Sequence, residues 1–174
     1  MRKTRTRTQP GTEKLTPEEI RRQTFERAAN LLAAKSRSVQ ELRENLSSRG
    51  NKAATEAVIK RLLEYGYLDD QRYALTYASS RVKQRPVGRR RLERELKLKK
   101  IDSSVADEAL EHVYQETSEE ELIDRAIKKR VRRGRPKTRA ETKSLFDHLL
   151  RQGFPFELVS SKVREVCRVE VDED

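Results

Sequence analysis

The chain has 174 residues, 40 of them Lys or Arg and 29 Asp or Glu, which gives a formal net charge of +11. Hydrophobic residues make up 34%, and Leu, Ile, Val and Phe together fill only 39 positions, or 22%. That fraction lies just above the roughly 20% below which a charged chain stays disordered, so a thick-cored globule is excluded and an elongated protein with a thin core is expected.

No stretch approaches the roughly 18 apolar residues of a membrane span, and the basic start is not followed by the apolar run of a secretory signal. One cysteine, Cys167, and two separated histidines supply neither a disulfide nor a metal-ligand spacing. A soluble protein of a reducing cytoplasm is expected, with no cofactor and no metal.

Residues 1–14 carry five basic side chains, one acidic one, Pro10 and Gly11, and are predicted to form a disordered basic arm. Thr16-Pro17-Glu18-Glu19 then has the form of a helix start, with Thr as N-cap, Pro at the first helical position and Glu three residues on. The same hydroxyl-to-Glu spacing recurs at Ser38 and Glu41, at Ser118 and Glu121, and at Thr138 and Glu141. Asp69 and Asp102 each precede an amphipathic run and are further N-cap candidates. Alternating β-branched residues are nearly confined to Val169 and Val171, so the chain is predicted to be all-α.

The helical pattern repeats. Leu42, Leu46 and Gly50 reappear as Leu92, Leu96 and Lys100, and again as Leu145, Leu149 and Gly153, with Leu63, Val113 and Val166 each thirteen residues further on. The predicted architecture is an elongated, curved array of three tandem three-helix repeats. The expected boundaries are an arm at 1–14, a first unit with an N-terminal helix at 15–67, a second at 68–116, a third at 117–168 and an acidic tail at 169–174. One such unit buries too little apolar area by itself, so neighbours must complete its core.

Charge is unevenly placed. Residues 81–100 hold ten basic and two acidic side chains, and residues 125–139 hold nine basic and none acidic, whereas the last eleven residues carry a net −3. Residues three, four and seven apart share a helix face, so Arg90, Arg94 and Lys97 form one ridge opposite Leu92 and Leu96. Arg125, Lys128 and Arg132 form a second, opposite Leu122 and Ile123. A merely solubilising face would mix both signs, and like charges at i,i+4 repel, so a polyanion partner is expected, with nucleic acid the leading candidate. Arg130 falls near the apolar side of its helix, which implies a bend or an end close by.

Tyr65, Tyr67, Tyr73 and Tyr77 precede the first basic block. They suit either stacking on single-stranded bases or, more simply, packing in place of missing aliphatics. Asp69-Asp70 can be read as a metal-binding carboxylate pair or, better, as a cap and dipole partner. No phosphate-binding glycine loop, cysteine pair or nucleophile beside a histidine is present, and no enzymatic activity is expected. His112 and His148 sit in amphipathic helices, where a structural role is the default.

The run from Tyr65 through Gly66-Tyr67-Leu68-Asp69-Asp70-Gln71-Arg72-Tyr73-Ala74, continuing to Tyr77, Arg81, Gly88, Arg91-Leu92 and Glu95-Leu96, resembles the signature of the RecX family. The resemblance extends over residues 24–167 and fits the family's tandem three-helix architecture. It departs at Lys100, where the family usually has Gly, a residue that takes the left-handed backbone of a helix C-cap more readily. Such proteins are bacterial, non-enzymatic modulators of the RecA recombinase. The resemblance implies a protein that binds RecA and its nucleoprotein filament and mostly inhibits ATP hydrolysis and strand exchange. It would act in DNA repair as a monomer with single-stranded and also double-stranded DNA as partners. The expected DNA- or filament-facing set comprises Arg81, Lys83, Arg85, Arg90, Arg91, Arg94 and Lys97 from the first basic block. The second block adds Arg125, Lys128, Arg132, Arg133 and Arg135. Arg72, Tyr73 and Tyr77 are assigned to packing or partner contact, and Arg81 also suits a bracing role between units. The alternative is a stand-alone DNA-binding regulator whose three-helix units present a recognition helix.

Overall fold

The computed structural model describes residues 15–48, 51–132 and 134–168. The predicted arm and tail, together with Gly50 and Arg133, lie outside the described residues. Every regular element within them is an α-helix: α1 (Pro17–Ala34), α2 (Val39–Ser47), α3 (Lys52–Glu64), α4 (Asp70–Gln84), α5 (Arg89–Leu98), α6 (Ser103–Glu116), α7 (Glu119–Val131), α8 (Arg139–Arg151) and α9 (Phe156–Arg168).

Local chemistry sets these starts. Thr16, Ser38 and Thr138 each close a complete capping box with Glu19, Glu41 and Glu141. Asp69, Asp102 and Ser118 accept from the N–H groups of Arg72, Ser104 and Glu121. Each such bond satisfies a helix donor that would otherwise be orphaned. The start of α3 carries a cap that the hydroxyl-to-Glu pattern does not detect: Asn51 accepts from both Ala53 and Ala54.

The helices pack as consecutive triplets, with α3 against α1 and α2, α6 against α4 and α5, and α9 against α7 and α8. The repeated leucines, Leu42 and Leu46, Leu92 and Leu96, Leu145 and Leu149, are all buried. The first triplet keeps a small core of its own around Ala28, Val58, Ile59 and Leu62. Leu68, at the expected start of the second unit, packs into that first core. One core runs unbroken through the second and third triplets, from Ala74 to Val163. The expected equivalence of Leu63 with Val113 and Val166 needs correction, because Leu63 is 44% exposed and Leu62 fills the buried position. In α3 the apolar face is shifted by one residue.

Successive triplets meet through their middle helices. At the first joint, Asp70 in the first turn of α4 accepts from the N–H of Val39 at 2.9 Å, while Ser38 donates its hydroxyl to the carbonyl of Lys99 at 2.6 Å. At the second, Glu119 in the first turn of α7 accepts from Arg89 N–H at 2.8 Å, and Gly88 N–H donates to the carbonyl of Gln152 at 3.0 Å. The N-terminus of α2 thus abuts the C-terminus of α5, and that of α5 abuts α8. Gly88 has no side chain to cap α5. The carboxylate of the following triplet supplies that bond instead.

The C-terminal turns of α3, α5 and α8 are Schellman motifs. Gly66, Lys100 and Gly153 take φ of +69°, +59° and +91°, and the N–H of the next residue returns to Leu62, Leu96 and Leu149 respectively. Lys100 therefore adopts the left-handed conformation that its side chain disfavours. It is tolerated because the first joint is spaced by the Ser38 hydroxyl and because its ammonium reaches Glu44. The second joint leaves no such room: a Cβ on Gly153 would stand 2.4 Å from the backbone nitrogen of Arg91, and one on Gly88 would stand 2.4 Å from the carbonyl carbon of Gly153.

Two substitutions measure this difference by chemical denaturation. Gly153→Ala adds a backbone clash to left-handed strain and is expected to cost at least the roughly 1–3 kcal/mol of an overpacked core. Lys100→Gly is expected to stabilise by about 0.5–1 kcal/mol, since the relieved left-handed penalty exceeds the exposed pair with Glu44. A loss of stability in Lys100→Gly would show that the pair outweighs the strain.

Candidate functional site

The basic residues of α5 divide by helix face. Leu92 and Leu96 point into the core, whereas Arg90, Arg94 and Lys97 are exposed. With Glu93, Leu150 and the edge of Phe154 they line a shallow cleft of about 500 Å³ between α5 and α8. Arg94 lies back along its own helix, donating from Nε to the Arg90 carbonyl at 3.2 Å. The expected first ridge is therefore outward-facing and bordered by apolar surface.

Arg81 and Arg91, also expected in the polyanion-facing set, turn instead towards a carboxylate of the protein. Arg81 makes a two-pronged contact with Glu95, from Nε and Nη2, each at 2.7 Å. Arg91, one turn before Glu95 on α5, adds a bond of 3.1 Å and also holds the Gln152 side chain at 3.0 Å. The Tyr77 hydroxyl donates to the same carboxylate at 3.1 Å. These bonds hold Glu95 down at about 2, the Arg81 guanidinium being the largest cause. The guanidiniums are committed to an internal carboxylate and clamp α4 onto α5.

Tyr73 and Tyr77 stack at 6.2 Å with rings 17° apart, half-buried against the core. Burial, with Glu41 nearby, pushes the Tyr73 hydroxyl up to about 12. Arg72 donates to the Gly66 carbonyl at 2.8 Å and so ties down the turn after α3. Tyr65 and Tyr67 remain exposed, with Arg61 over the Tyr65 ring. Asp69 caps its own helix and Asp70 caps α2 across the joint. Among the described residues no cluster of His, Cys, Asp and Glu could hold a metal ion.

On α7 the buried face is Leu122, Ile123, Ala126 and Ile127. Arg125, Lys128 and Arg132 are exposed, as is Lys83 on α4. The helix ends one residue after Arg130, as that residue's position implied. Arg133 lies outside the described residues. Arg85 and Arg135 line two adjoining clefts of about 360 Å³ each that share Arg130. The first is bounded by Arg85, Lys129, Arg130, His148 and Gln152, and the second by Arg130, Arg135, Lys137 and Glu141. Helix-face reasoning missed Lys129, Arg130 and His148, because they converge from different helices. The only sequence signal was the position of Arg130 at a helix end.

The family described as "RecX, second three-helix domain" matches residues 69–110. A protein named "Regulatory protein RecX" from Amycolatopsis mediterranei is 30% identical over 156 residues, covering 88% of this chain and 89% of its own. Its namesake in Bacillus licheniformis is 33% identical over 144 residues, 81% of this chain and 54% of the relative. The chain thus spans about half the length of that Bacillus relative. The crystal structure of RecX from Lactobacillus salivarius superposes with a TM-score of 0.74 at 20% identity over 86% of this chain and 97% of that one, a likeness of fold.

The Glu95 cluster carries a pH signature. A carboxylate whose folded pKa is depressed to about 2 adds stability above the ordinary carboxylate range, and that stability is lost as pH falls from there through about 2. Denaturation midpoints measured across this window are expected to fall in the native chain. Glu95→Gln is expected to cost about 1–3 kcal/mol at neutral pH and to flatten that acid slope. An unchanged slope would remove the cluster from the account of acid stability.

Proposed function

Because the chain belongs to the RecX family, we propose that it binds the RecA recombinase and its nucleoprotein filament, limits ATP hydrolysis and strand exchange, and touches DNA as a second contact. The observation that carries the DNA contact is the exposed row of Arg90, Arg94 and Lys97 beside the apolar rim of Leu150. A row of cations on one helix face can neutralise several phosphates, and each neutralised phosphate releases counterions. Arg125, Lys128 and Arg132 offer a second exposed row on the next triplet.

An array of small triplets suits a filament for a physical reason. Each contact is shallow, but units tied in series bind at high effective concentration once the first has docked. Inhibition then needs no active site: bridging neighbouring protomers or occupying the DNA path is enough. The internal ties of Arg81 and Arg91 keep the α5 surface rigid, which lowers the entropy lost on docking.

RecA-catalysed ATP hydrolysis on single-stranded DNA, titrated with this protein at two salt concentrations, tests the reading. Inhibition is expected at both salts and weaker at the higher. Combined Arg90→Glu, Arg94→Glu and Lys97→Glu changes are expected to reduce filament affinity by about an order of magnitude or more. No effect of the native protein at either salt would reject the function. Full inhibition by the charge-reversed protein would reject the surface.

A further inference from the structure

The junction between the second and third triplets brings together groups from separate elements that the sequence pattern does not place side by side. Arg85 and Pro86 come from the turn after α4, Lys129 and Arg130 from the last turn of α7, and His148 and Gln152 from α8. They enclose about 360 Å³, enough for a phosphate group with part of the residue that bears it. None of the lining residues is acidic. Among the described residues, no carboxylate forms an ion pair with Arg85, Lys129 or Arg130, nor with Arg151 on the next turn. The C-termini of α4 and α7 each offset roughly half a charge, which leaves most of four full cations uncompensated.

From this geometry we infer that the cleft is a binding site for a phosphate oxyanion, held by Arg85, Lys129 and Arg130 with the His148 imidazole in its lining. Guanidinium groups give paired donors to phosphate, and Lys129 adds a point charge. Gln152 is fixed from behind, its side chain by Arg91 and its carbonyl by Gly88 N–H, so this wall of the cleft is part of the joint and is preorganised.

His148 makes the site sensitive to protons. Cations approach it from several elements: Arg85 from the turn, Arg91 from α5, Lys129 and Arg130 from α7, and Arg151 from its own helix. The nearest acid in sequence, Asp147, is paired with Lys143 at 3.0 Å. Burial first, then Arg130, Arg151 and Arg91, hold the imidazole below its ordinary value, so it is neutral at neutral pH. An oxyanion cancels the repulsion and offers an acceptor, which raises the histidine's pKa and draws in a proton. By linkage, binding tightens as pH falls, up to the bound of tenfold per unit for one proton.

Two phosphate sources share this chemistry, the phosphodiesters of a nucleic-acid strand and a free nucleoside triphosphate. The full chain is titrated without recombinase, so failure of this site and failure of the filament reading are seen separately. The probes are an oligothymidylate, whose phosphodiesters do not titrate near neutrality, and ATP. The chain has two histidines, so NMR follows His148 directly, with exposed His112 as the internal control. The probe that fills the cleft is expected to raise the His148 pKa, and which probe does so identifies the source. Oligothymidylate affinity, if that is the source, is expected to rise about five- to tenfold from pH 8 to pH 6. His148→Gln should abolish this slope with little change at pH 8, and Arg130→Gln should weaken binding at both pH values. A His148 resonance that neither probe shifts would overturn the site, as would a pH slope that survives His148→Gln.

Discussion

The contact on which the rest of this protein depends is the end-to-end meeting of its middle helices. α2, α5 and α8 each bury only two leucines, too little to fold as isolated helices of 9 to 13 residues. At each joint the carboxylate of a following triplet enters the N-terminus of the preceding middle helix, and the C-terminus of the next middle helix closes over it. Helix dipoles then run head to tail, and orphaned donors and carbonyls satisfy one another. Burial raises the pKa of Asp70 and Glu119 despite these bonds. A raised carboxyl pKa means that acid does not penalise the joints, whereas Glu95, shifted the opposite way, loses its contribution as pH falls.

The two joints are built to different tolerances. The first has Ser38 where the second has Gly88, and one hydroxyl of spacing is enough to admit a lysine at the left-handed position. The second brings backbone directly against backbone and fuses the second and third triplets into one core. The first triplet keeps a separate core and is tied on by Asp70, Lys99 and Lys100. Half-exposed ion pairs of that kind contribute little individually. The array is thus a pair of triplets with a shared core, joined to a first that keeps its own.

Much of this was legible in the sequence, because helix starts and buried leucines are local signals. Thr16, Ser38, Asp69, Asp102, Ser118 and Thr138 all cap where their spacing predicts, and the leucine repeat gives the buried face of each middle helix. What was hidden is long-range. Within α5 the i,i+4 spacing of Arg91 and Glu95 is the one trace of the cluster, because Arg81 and Gln152, which complete it, lie on other elements. Leu63 was misassigned because a repeat aligned by counting cannot sense a one-residue rotation of α3. The close approach of Gly88 to Gly153 likewise spans 65 residues and leaves only two glycines as its trace.

The high charge therefore separates into classes with different physical roles. Arg81, Arg91, Lys99 and Lys162 are neutralised by carboxylates on their own or neighbouring helices and serve the fold. Lys128, Lys129 and Arg130 gain partial compensation from the carbonyl end of α7. Arg85, Arg90, Arg94 and Lys97 stand on the turn or exposed face between two joints, where the backbone cannot relax to separate them. Repulsion that cannot be relieved by movement can be relieved by an anion. The same rigidity that stores it also preserves the geometry in which an anion is received, so in this fold the stability of the joints and the capacity for recognition have a common origin.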